Sequence, residues 1–377
     1  MTRILFTCRP LAGHFEPLRP LAAVALAEGH DVAFATGEPL VATARERGFE
    51  AFAAGPPASL RDTWATRVPA PEVLATDAGR TWFFTEIFAG LELGPRAADL
   101  ASVVASWRPE LVVHELAELA GPLVATAAGL PYATAGYGIL PPQGVLRAAA
   151  AAAAPHWEGR ALSAPAYAGL FTHLYLDVCP SGLQVPWAAE LPARTLMRPG
   201  HETHPPPPWL SELPHRRTVY VTFGTVWNRD PARFTTVIDA LAGDPLNLVV
   251  TTGGVEVESP RPGVHVESFI PQAAILPHCD AVICHGGSGT ILGALAHGRP
   301  LLVLPQGADQ FDNARRIVAV GAGLSVPPGD QVREATFALL EDDRYARTAA
   351  ALADEIAAMP DAGSAVRALE ELAERHA

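Results

Sequence analysis

One stretch in the C-terminal half of the chain has the residue types of an anion site. Ala281 to Cys284 is a short apolar run that predicts a buried strand, and His285 and a turn with three glycines follow it. Thr290 to His297 then has the pattern of a helix. This order places unpaired backbone N–H groups at one point, where the helix dipole adds roughly half a positive charge. A phosphate or diphosphate fits such a site.

The polar side chains of this stretch suit the same chemistry. Ser288 and Thr290 add hydroxyl donors to the backbone amides, and the glycines allow a ligand to come close. His285 can give the same oxygens either a hydrogen bond or a positive charge. The alternative is a tight turn whose glycines serve packing and whose histidine is a rim residue. This run alone leaves both interpretations open.

A second candidate group lies near the N-terminus. Gly13 and His14 stand in a loop, Cys8 to Glu16, that follows the short apolar run Arg3 to Thr7. An imidazole at the carboxyl end of a strand is placed to remove a proton from a bound hydroxyl. The alternative is a loop histidine without a catalytic task.

The elements that must position these groups alternate between strand and helix in both halves of the chain. The predicted strands are Arg3 to Thr7, Asp31 to Thr36, Glu50 to Ala53, Leu111 to Val113, Thr218 to Phe223, Leu246 to Thr251 and His265 to Phe269. The predicted helices are Pro17 to Glu28, Pro39 to Arg47 and Pro231 to Ala242, and three Ala-rich helices follow from Gln331. This alternation predicts an α/β fold with parallel sheets and with ligands at the carboxyl ends of the strands.

The length of 377 residues predicts two domains, because single cores usually stop growing below this size. A stretch rich in proline begins near Leu191 and marks the boundary. We predict an N-terminal domain over 1–195, a linker over 196–216 and a C-terminal domain over 217–377. His201 and His204 have a spacing that could ligate a metal, but no third ligand accompanies them, so a solvated linker is the preferred interpretation.

Composition excludes several classes of function. Hydrophobic residues make up 49% and charged residues 18%, which is typical of a globular protein, and the net charge of −13 without an arginine cluster argues against nucleic acid as a partner. Four scattered cysteines form no metal or redox motif, which indicates a reducing cytoplasm. We expect a cytoplasmic protein, because the first residues form a strand rather than a leader and no uninterrupted apolar stretch is long enough to span a membrane.

Aromatic residues cluster between Arg61 and Gly94. They are Trp64, Trp82, Phe83, Phe84 and Phe88. Aromatics at helical spacing usually pack in a core, but an apolar binding cleft would use the same residues. Both interpretations stay open. The alanine run Ala148 to Ala154 predicts only a helix.

Three sequence pieces together resemble the nucleotide-sugar signature of family 1 glycosyltransferases. They are Glu267 to Gln272, Val282 to Thr290 and Leu304 to Asn313, in this order. The run Gly13 to Ala22 resembles the first signature of the same family. A pattern in several parts is much harder to meet by chance than one glycine turn. The resemblance implies the GT-B fold, in which two Rossmann-like βαβ domains face each other across a cleft and the last helix, here Ala362 to Ala377, crosses back to the first domain.

The resemblance also assigns a donor site. Phe269 would stack on the base, Gln272 would lie against the nucleoside, and Asp309 and Gln310 would bind the hydroxyls of the transferred sugar. The diphosphate would be held by Gly224, Thr225, His285, Gly287, Ser288, Gly289 and Thr290. The chemistry agrees, because a flat apolar ring suits a pyrimidine and a carboxylate beside an amide suits sugar hydroxyls.

One departure from the family concerns the nucleotide. Eight residues after the histidine, plant members and some bacterial ones carry a glutamate that binds the ribose hydroxyls, whereas this chain has Gly293. A site without that acceptor gains nothing from a 2′-hydroxyl. The resemblance therefore implies a dTDP-sugar rather than a UDP-sugar, as in the subset of the family that acts on antibiotics.

In the resembling family the histidine of the first signature, here His14, is the general base. An aspartate that orients it commonly stands where this chain has Glu115, at the end of the strand that begins at Leu111. A carboxylate there would accept the Nδ1 proton and stabilise the imidazolium. Glutamate is one methylene longer, which leaves the distance open. His114 points to the opposite face of a regular strand and ranks below Glu115.

These assignments predict an inverting, metal-independent glycosyltransferase that moves a sugar to a hydroxyl of a hydrophobic natural-product aglycone. No cofactor is expected beyond the dTDP-sugar donor, and a homodimer is left open. One alternative is a sugar-nucleotide epimerase or hydrolase of the same fold, which would need a second acid or base where only Asp309 is available. The other is a binding protein that holds a sugar nucleotide without turning it over.

Overall fold

A computed structural model describes residues 1–56, 67, 69, 73, 76–200, 204–224, 230–257, 261–327, 329 and 331–376. The chain forms two compact units. Unit 1 consists of Met1–Cys179, Gln184–Gly200 and Met359–Ala377, and unit 2 consists of Pro180–Leu183 and His201–Ala358. The main passage from one unit to the other falls between residues 200 and 201, within the proline-rich segment.

Unit 1 is built on a parallel sheet of seven strands. The strands are β1 (Arg3–Thr7), β2 (Asp31–Thr36), β3 (Glu50–Ala53), β4 (Leu111–Glu115), β5 (Tyr132–Ala135), β6 (Leu174–Asp177) and β7 (Arg194–Leu196). Their order in the sheet is β3-β2-β1-β4-β5-β6-β7. Residues 4–7 of β1 and all of β4 and β5 are buried, as expected for strands covered on both faces.

The helices of unit 1 connect these strands. They are Ala12–Phe15, Arg19–Ala27, Glu38–Glu46, Asp77–Trp82, Leu93–Trp107, Ala120–Ala128, Gln143–Glu158 and Ala362–Glu374. Between Asp77–Trp82 and Leu93–Trp107, the residues Phe83–Glu92 are wound as a π-helix. The C-terminal helix Ala362–Glu374 packs on helix Arg19–Ala27, and Nε2 of His30 lies 3.2 Å from Oε1 of Glu370.

Unit 2 repeats the architecture with six parallel strands. They are β8 (Arg217–Thr222), β9 (Leu246–Thr251), β10 (Val264–Glu267), β11 (Ala281–Cys284), β12 (Leu301–Val303) and β13 (Gly323–Ser325), in the order β10-β9-β8-β11-β12-β13. The helices are Pro231–Leu241, Gln272–Ile275, Ser288–Ala296, Gln310–Val320, Gln331–Glu341 and Asp343–Ala358. The predicted α/β fold with two parallel sheets is confirmed.

The element that carries His14 differs from the prediction. We expected a loop up to Glu16 and one helix from Pro17, but the structure has a single helical turn, Ala12–Phe15, and a second helix that begins at Arg19. A four-residue helix without a side-chain cap leaves no periodic signal in the sequence.

The aromatic cluster lies in the core of unit 1. Phe83, Phe84 and Phe88 are buried there, and Trp82 packs against them partly exposed. Trp64 lies outside the described residues. The four cysteines are buried, and none of them forms a disulfide. Within the described part of the chain, no helix combines the length and the apolar character that a membrane span requires.

Candidate active site

The two candidate groups, one around His14 and the other around His285, each lie at the point where the strand order of a sheet reverses. In unit 1 the reversal falls between β1 and β4; His14 follows β1, and Glu115 is the last residue of β4. In unit 2 it falls between β8 and β11; Gly224 closely follows β8, and His285 directly follows β11. Open α/β sheets bind their ligands at this place, outside the carboxyl ends of the strands.

His14 and Glu115 are brought together. Nδ1 of His14 lies 2.9 Å from Oε1 of Glu115, which is an ion-pair distance, although the ring is turned away from the ideal hydrogen-bond direction. The longer side chain of glutamate therefore reaches the imidazole. The ring of Tyr137 contacts His14 edge-on, with centroids 5.3 Å apart.

Glu115 is ionised in spite of its burial. Burial acts to raise the pKa of Glu115, but His14, the N–H of Ala117 at 2.5 Å and the guanidinium of Arg9 act in the opposite direction and hold that pKa below the ordinary value for glutamate. A carboxylate that stays charged beside an imidazole stabilises the imidazolium that forms when the imidazole takes up a proton.

His114, the neighbouring histidine, belongs to the core. Its Nε2 lies 2.8 Å from Oγ1 of Thr134, its Nδ1 lies 3.1 Å from the carbonyl oxygen of Glu115, and burial lowers its pKa to about 4. A neutral, fully buried imidazole with both nitrogens engaged has no capacity left to act on a substrate.

Sequence reasoning missed a cluster of buried charged residues beside His14. Two arginines and two glutamates form it, and we call it the buried ionic cluster: Arg9, Glu92, Arg96 and Glu118. Arg9 donates from Nε and Nη2 to Glu92, each at 2.8 Å. Arg96 lies 3.6 Å from Glu92 and 3.9 Å from Glu118, and it donates to the carbonyl oxygens of Cys8 and Ala54.

A signal for part of this cluster is present in the sequence. Glu92 and Arg96 stand four residues apart on a helical stripe that otherwise carries Phe84, Phe88 and Leu100, all buried. Charged residues of opposite sign on an apolar stripe indicate a buried ion pair. The contact with Arg9 could not be read from the sequence, because more than eighty residues separate Arg9 from Glu92.

In unit 2 the glycine turn closes tightly around His285. Gly224 has φ +72°, and a Cβ added to Gly224 would lie 2.9 Å from Cε1 of His285. A Cβ at Gly287 would lie 2.5 Å from Nε2 of the same ring. Both positions therefore require glycine for the close approach of the backbone to the imidazole. Thr225 lies outside the described residues.

His285 is neutral near pH 7, because burial lowers its pKa to about 4 and the backbone of Thr222, which acts to raise that pKa, offsets the effect of burial only in part. Of the two roles that the sequence left open, the structure thus favours a hydrogen-bond donor over a positive charge. Within the described residues, Nδ1 of His285 makes no hydrogen bond of normal geometry.

The start of helix Ser288–Ala296 has the character of an anion site. Its N-cap is Gly287, its first turn contains no acidic residue, and within the described residues no side chain caps it. The first N–H groups of the helix are therefore available to an external anion. Gly289 is exposed, and a Cβ there would meet no atom within 4 Å.

The predicted sugar and phosphate residues are linked by hydrogen bonds. Oγ of Ser288 donates to Oδ2 of Asp309 at 3.2 Å. Asn313, which we did not predict as a site residue, donates from Nδ2 to the carbonyl oxygen of Gly286 at 2.9 Å and to Oδ2 of Asp309 at 3.0 Å. Its position four residues after Asp309, the N-cap of helix Gln310–Val320, was the signal that could have identified it. Asn313 holds the glycine turn and the start of helix Gln310–Val320 together.

The remaining predicted donor residues differ in their surroundings. Gln272 donates from Nε2 to Oγ1 of Thr290 at 3.0 Å. Phe269 is 71% exposed, so its ring face is open to a ligand. Gln310 is buried, and its Oε1 accepts from the backbone N–H groups of Gln306 and Gly307. The amide oxygen of Gln310 is therefore engaged by the loop backbone, and only its NH2 group can bind a sugar hydroxyl.

Among the described residues, no group of three or more His, Cys, Asp or Glu side chains is placed to hold a metal ion. His201, one of the two histidines of the linker, lies outside the described residues.

Comparison with known proteins identifies matching family models in both halves of the chain. Residues 24–224 match the model of erythromycin biosynthesis protein CIII-like, N-terminal domain, and residues 238–372 match the model of erythromycin biosynthesis protein CIII-like, C-terminal domain. L-demethylnoviosyl transferase of Streptomyces niveus is 34% identical over 339 residues, which cover 86% of this chain and 85% of the relative.

Solved glycosyltransferase structures resemble the chain over nearly its whole length. SsfS6 of Streptomyces sp. SF2575, complexed with thymidine diphosphate, is 27% identical with a TM-score of 0.76 and covers 98% of this chain and 100% of its own. The spinosyn rhamnosyltransferase SpnG, also complexed with thymidine diphosphate, is 27% identical with a TM-score of 0.78 and the same coverage.

Proposed function

Because the chain belongs to the erythromycin biosynthesis protein CIII-like family and is a glycosyltransferase of the GT-B fold, we propose that it transfers a sugar from a dTDP-sugar to a hydroxyl of a hydrophobic natural-product aglycone, with inversion at the anomeric carbon. The observation that carries this proposal is the contact of His14 with Glu115 at the switch point of unit 1, together with an uncapped helix start at the switch point of unit 2.

His14 is the general base of the proposed reaction. Its Nε2 takes the proton of the acceptor hydroxyl while the acceptor oxygen forms a bond to the anomeric carbon and the bond from that carbon to the diphosphate breaks. Glu115 stabilises the imidazolium, and dTDP leaves. A single displacement of this kind inverts the configuration at the anomeric carbon, and this is why we infer an inverting enzyme.

The leaving diphosphate is stabilised by the start of helix Ser288–Ala296. The N–H groups of that helix end and its dipole offer positive potential, and the imidazole of His285 adds a hydrogen bond. These groups provide the electrostatic stabilisation that a metal ion supplies in other transferases, so we infer that turnover does not need one. Enzyme treated with EDTA should retain its rate, and a rate restored only by added Mg²⁺ would contradict this inference.

A thymidine nucleotide is supported by two observations. SsfS6 and SpnG, both more than 25% identical to this chain, are complexed with thymidine diphosphate. Gly293 faces the side chain of Gln272, and this position offers no carboxylate to a ribose 2′-hydroxyl.

The test is a turnover assay of the purified protein with dTDP-glucose, UDP-glucose and a panel of polyketide, phenolic and macrolide acceptors, followed by mass spectrometry. We expect a glycosylated product and dTDP, with the dTDP-sugar preferred, and the opposite anomeric configuration in the product by NMR. Incubation without acceptor is the control. Free sugar or an epimer there, with no glycosylated product, would refute transfer, and intact donor with every acceptor would indicate a binding protein.

A further inference from the structure

Arg9 touches both members of the His14–Glu115 pair. Its Nη1 lies 3.5 Å from Nε2 of His14, and its backbone N–H donates to Oε1 of Glu115 at 3.4 Å. A guanidinium carries only donors, so the nitrogen of the imidazole that faces it has to act as the acceptor. The proton of a neutral His14 then lies on Nδ1, the nitrogen that is 2.9 Å from Glu115.

The guanidinium of Arg9 is held in place by one helical segment. Glu92 accepts two parallel hydrogen bonds of 2.8 Å from Nε and Nη2, and the ring of Phe88 lies against the guanidinium carbon with 3.9 Å to its centroid. Phe88 and Glu92 stand four residues apart on the π-helix Phe83–Glu92. π-helical segments frequently occur at functional sites. A bidentate carboxylate and a stacked ring together fix the plane of the guanidinium, and Nη1 is thereby directed at His14.

The charges around His14 come from several elements of unit 1. Glu115 at the end of β4 places its carboxylate beside Nδ1 of His14. Arg9, from the segment after β1, opposes a proton on Nε2, while Glu92 of the π-helix balances the charge of Arg9. Tyr137, after β5, contributes a neutral ring edge. A donor therefore faces Nε2 of His14, and a carboxylate faces Nδ1.

We propose that Arg9 is a positioning residue for the base: it holds His14 in the tautomer with the proton on Nδ1 and keeps the lone pair of Nε2 available for the acceptor hydroxyl. The contact of 3.5 Å is long, so a hydroxyl can replace Arg9 at that lone pair without breaking a strong bond. This inference rests on the proposed function, in which His14 is the base.

The test reads the tautomer of His14 directly. Nitrogen NMR of protein labelled with 15N-histidine distinguishes a protonated from an unprotonated ring nitrogen, and the spectrum of His14→Gln assigns the signal. We expect Nδ1–H in the native protein and, in Arg9→Met, a mixture with the other tautomer or with the imidazolium. An unchanged tautomer in Arg9→Met would overturn the proposal. The measurement uses no substrate, so a failure of the proposed transferase activity does not affect it.

Kinetics separate positioning from folding. Arg9→Met should lower kcat about tenfold or more and leave the KM for the donor within about twofold, because the donor residues belong to unit 2. Removal of Arg9 also leaves the buried Glu92 unpaired, so the double variant Arg9→Met/Glu92→Gln is the control. Recovery of thermal stability in the double variant, without recovery of kcat or of the tautomer, would support positioning, and recovery of all three would overturn it.

Arg9→Lys is the matched variant that keeps the charge. Lysine cannot form the bidentate pair with Glu92 that directs Nη1, so we expect kcat and the tautomer to remain impaired. Native values of both in Arg9→Lys would show that any cation suffices and would overturn the role of the guanidinium geometry.

Discussion

Nδ1 of His14 lies 2.9 Å from Oε1 of Glu115, so the side chain of glutamate reaches the imidazole. The main chain of Arg9 and of Ala117 donates to the same carboxylate, which fixes the orientation of the longer side chain. The backbone around Glu115 therefore holds the carboxylate at the imidazole of His14.

Glu115→Gln should lower kcat by roughly 100-fold or more, because a neutral amide neither fixes the Nδ1–H tautomer nor stabilises the imidazolium. Initial rates at saturating donor check this. Glu118→Gln is the matched control, since Glu118 is a second buried glutamate three residues away and has no contact with His14; it should lower kcat far less. Equal losses in the two variants would show that the effect comes from folding.

Gly287→Ala should weaken dTDP binding by roughly tenfold or more, measured by calorimetry, because the new Cβ would lie 2.5 Å from Nε2 of His285 and displace the ring. His285→Ala should show a similar loss. Gly289→Ala adds the same methyl group to the helix start, where it meets no atom within 4 Å, and should lose much less affinity. Native affinity in Gly287→Ala would argue against His285 as a phosphate ligand.

Gly293→Glu should shift nucleotide preference toward UDP-sugars. A Cβ at this position would lie 3.5 Å from Oε1 of Gln272 and 3.3 Å from Cδ1 of Leu276. After a small shift of the Leu276 side chain, a longer side chain at this position would reach the place where the nucleoside is expected. One added hydrogen bond predicts an increase of about tenfold in the ratio of kcat/KM for UDP-glucose over dTDP-glucose. Gly293→Ala, which adds no acceptor, is the control, and an equal shift in both variants would contradict the explanation.

Glu118 should make the stability of the protein depend on pH. Burial raises the pKa of Glu118 to about 7 from 4.5, so between these values the folded state binds more protons than the unfolded state, and stability falls as pH rises. The loss amounts to about 3 kcal/mol over this window. Glu118→Gln removes this loss of stability. The free energy of unfolding of the variant, relative to that of the native protein, should therefore increase from pH 4.5 to pH 8.

Urea unfolding at several pH values measures this difference. Glu46→Gln, a change at an exposed glutamate, is the control. Its free energy of unfolding should differ from that of the native protein by an amount that is nearly constant with pH. If this difference were also constant for Glu118→Gln, the carboxyl of Glu118 would have the same pKa in the folded and the unfolded chain, and the prediction would be wrong.

The strands could be predicted from the sequence more closely than the site. β1, β2, β3, β9 and β11 have the predicted bounds. All of these except the edge strand β3 are largely buried, and a buried parallel strand is a continuous apolar run with clear ends. The strand, glycine turn and helix around His285 could be predicted as well, because these elements are contiguous in the sequence.

The surroundings of His14 could not be predicted in the same way. Arg9, Glu92 and Glu118 come from three distant segments, and only the closed sheet brings them next to β1 and β4. The sequence of Phe83–Glu92 has an ordinary helical pattern and gives no sign of its π-helical winding. The residues that support the base were thus hidden by their separation along the chain.

The most direct test of the central claim is the turnover of His14→Ala beside its affinity for dTDP. We predict that kcat falls at least ~100-fold while the Kd for dTDP stays within about threefold, because His14 belongs to unit 1 and the proposed donor residues belong to unit 2. Native turnover in His14→Ala would contradict the account.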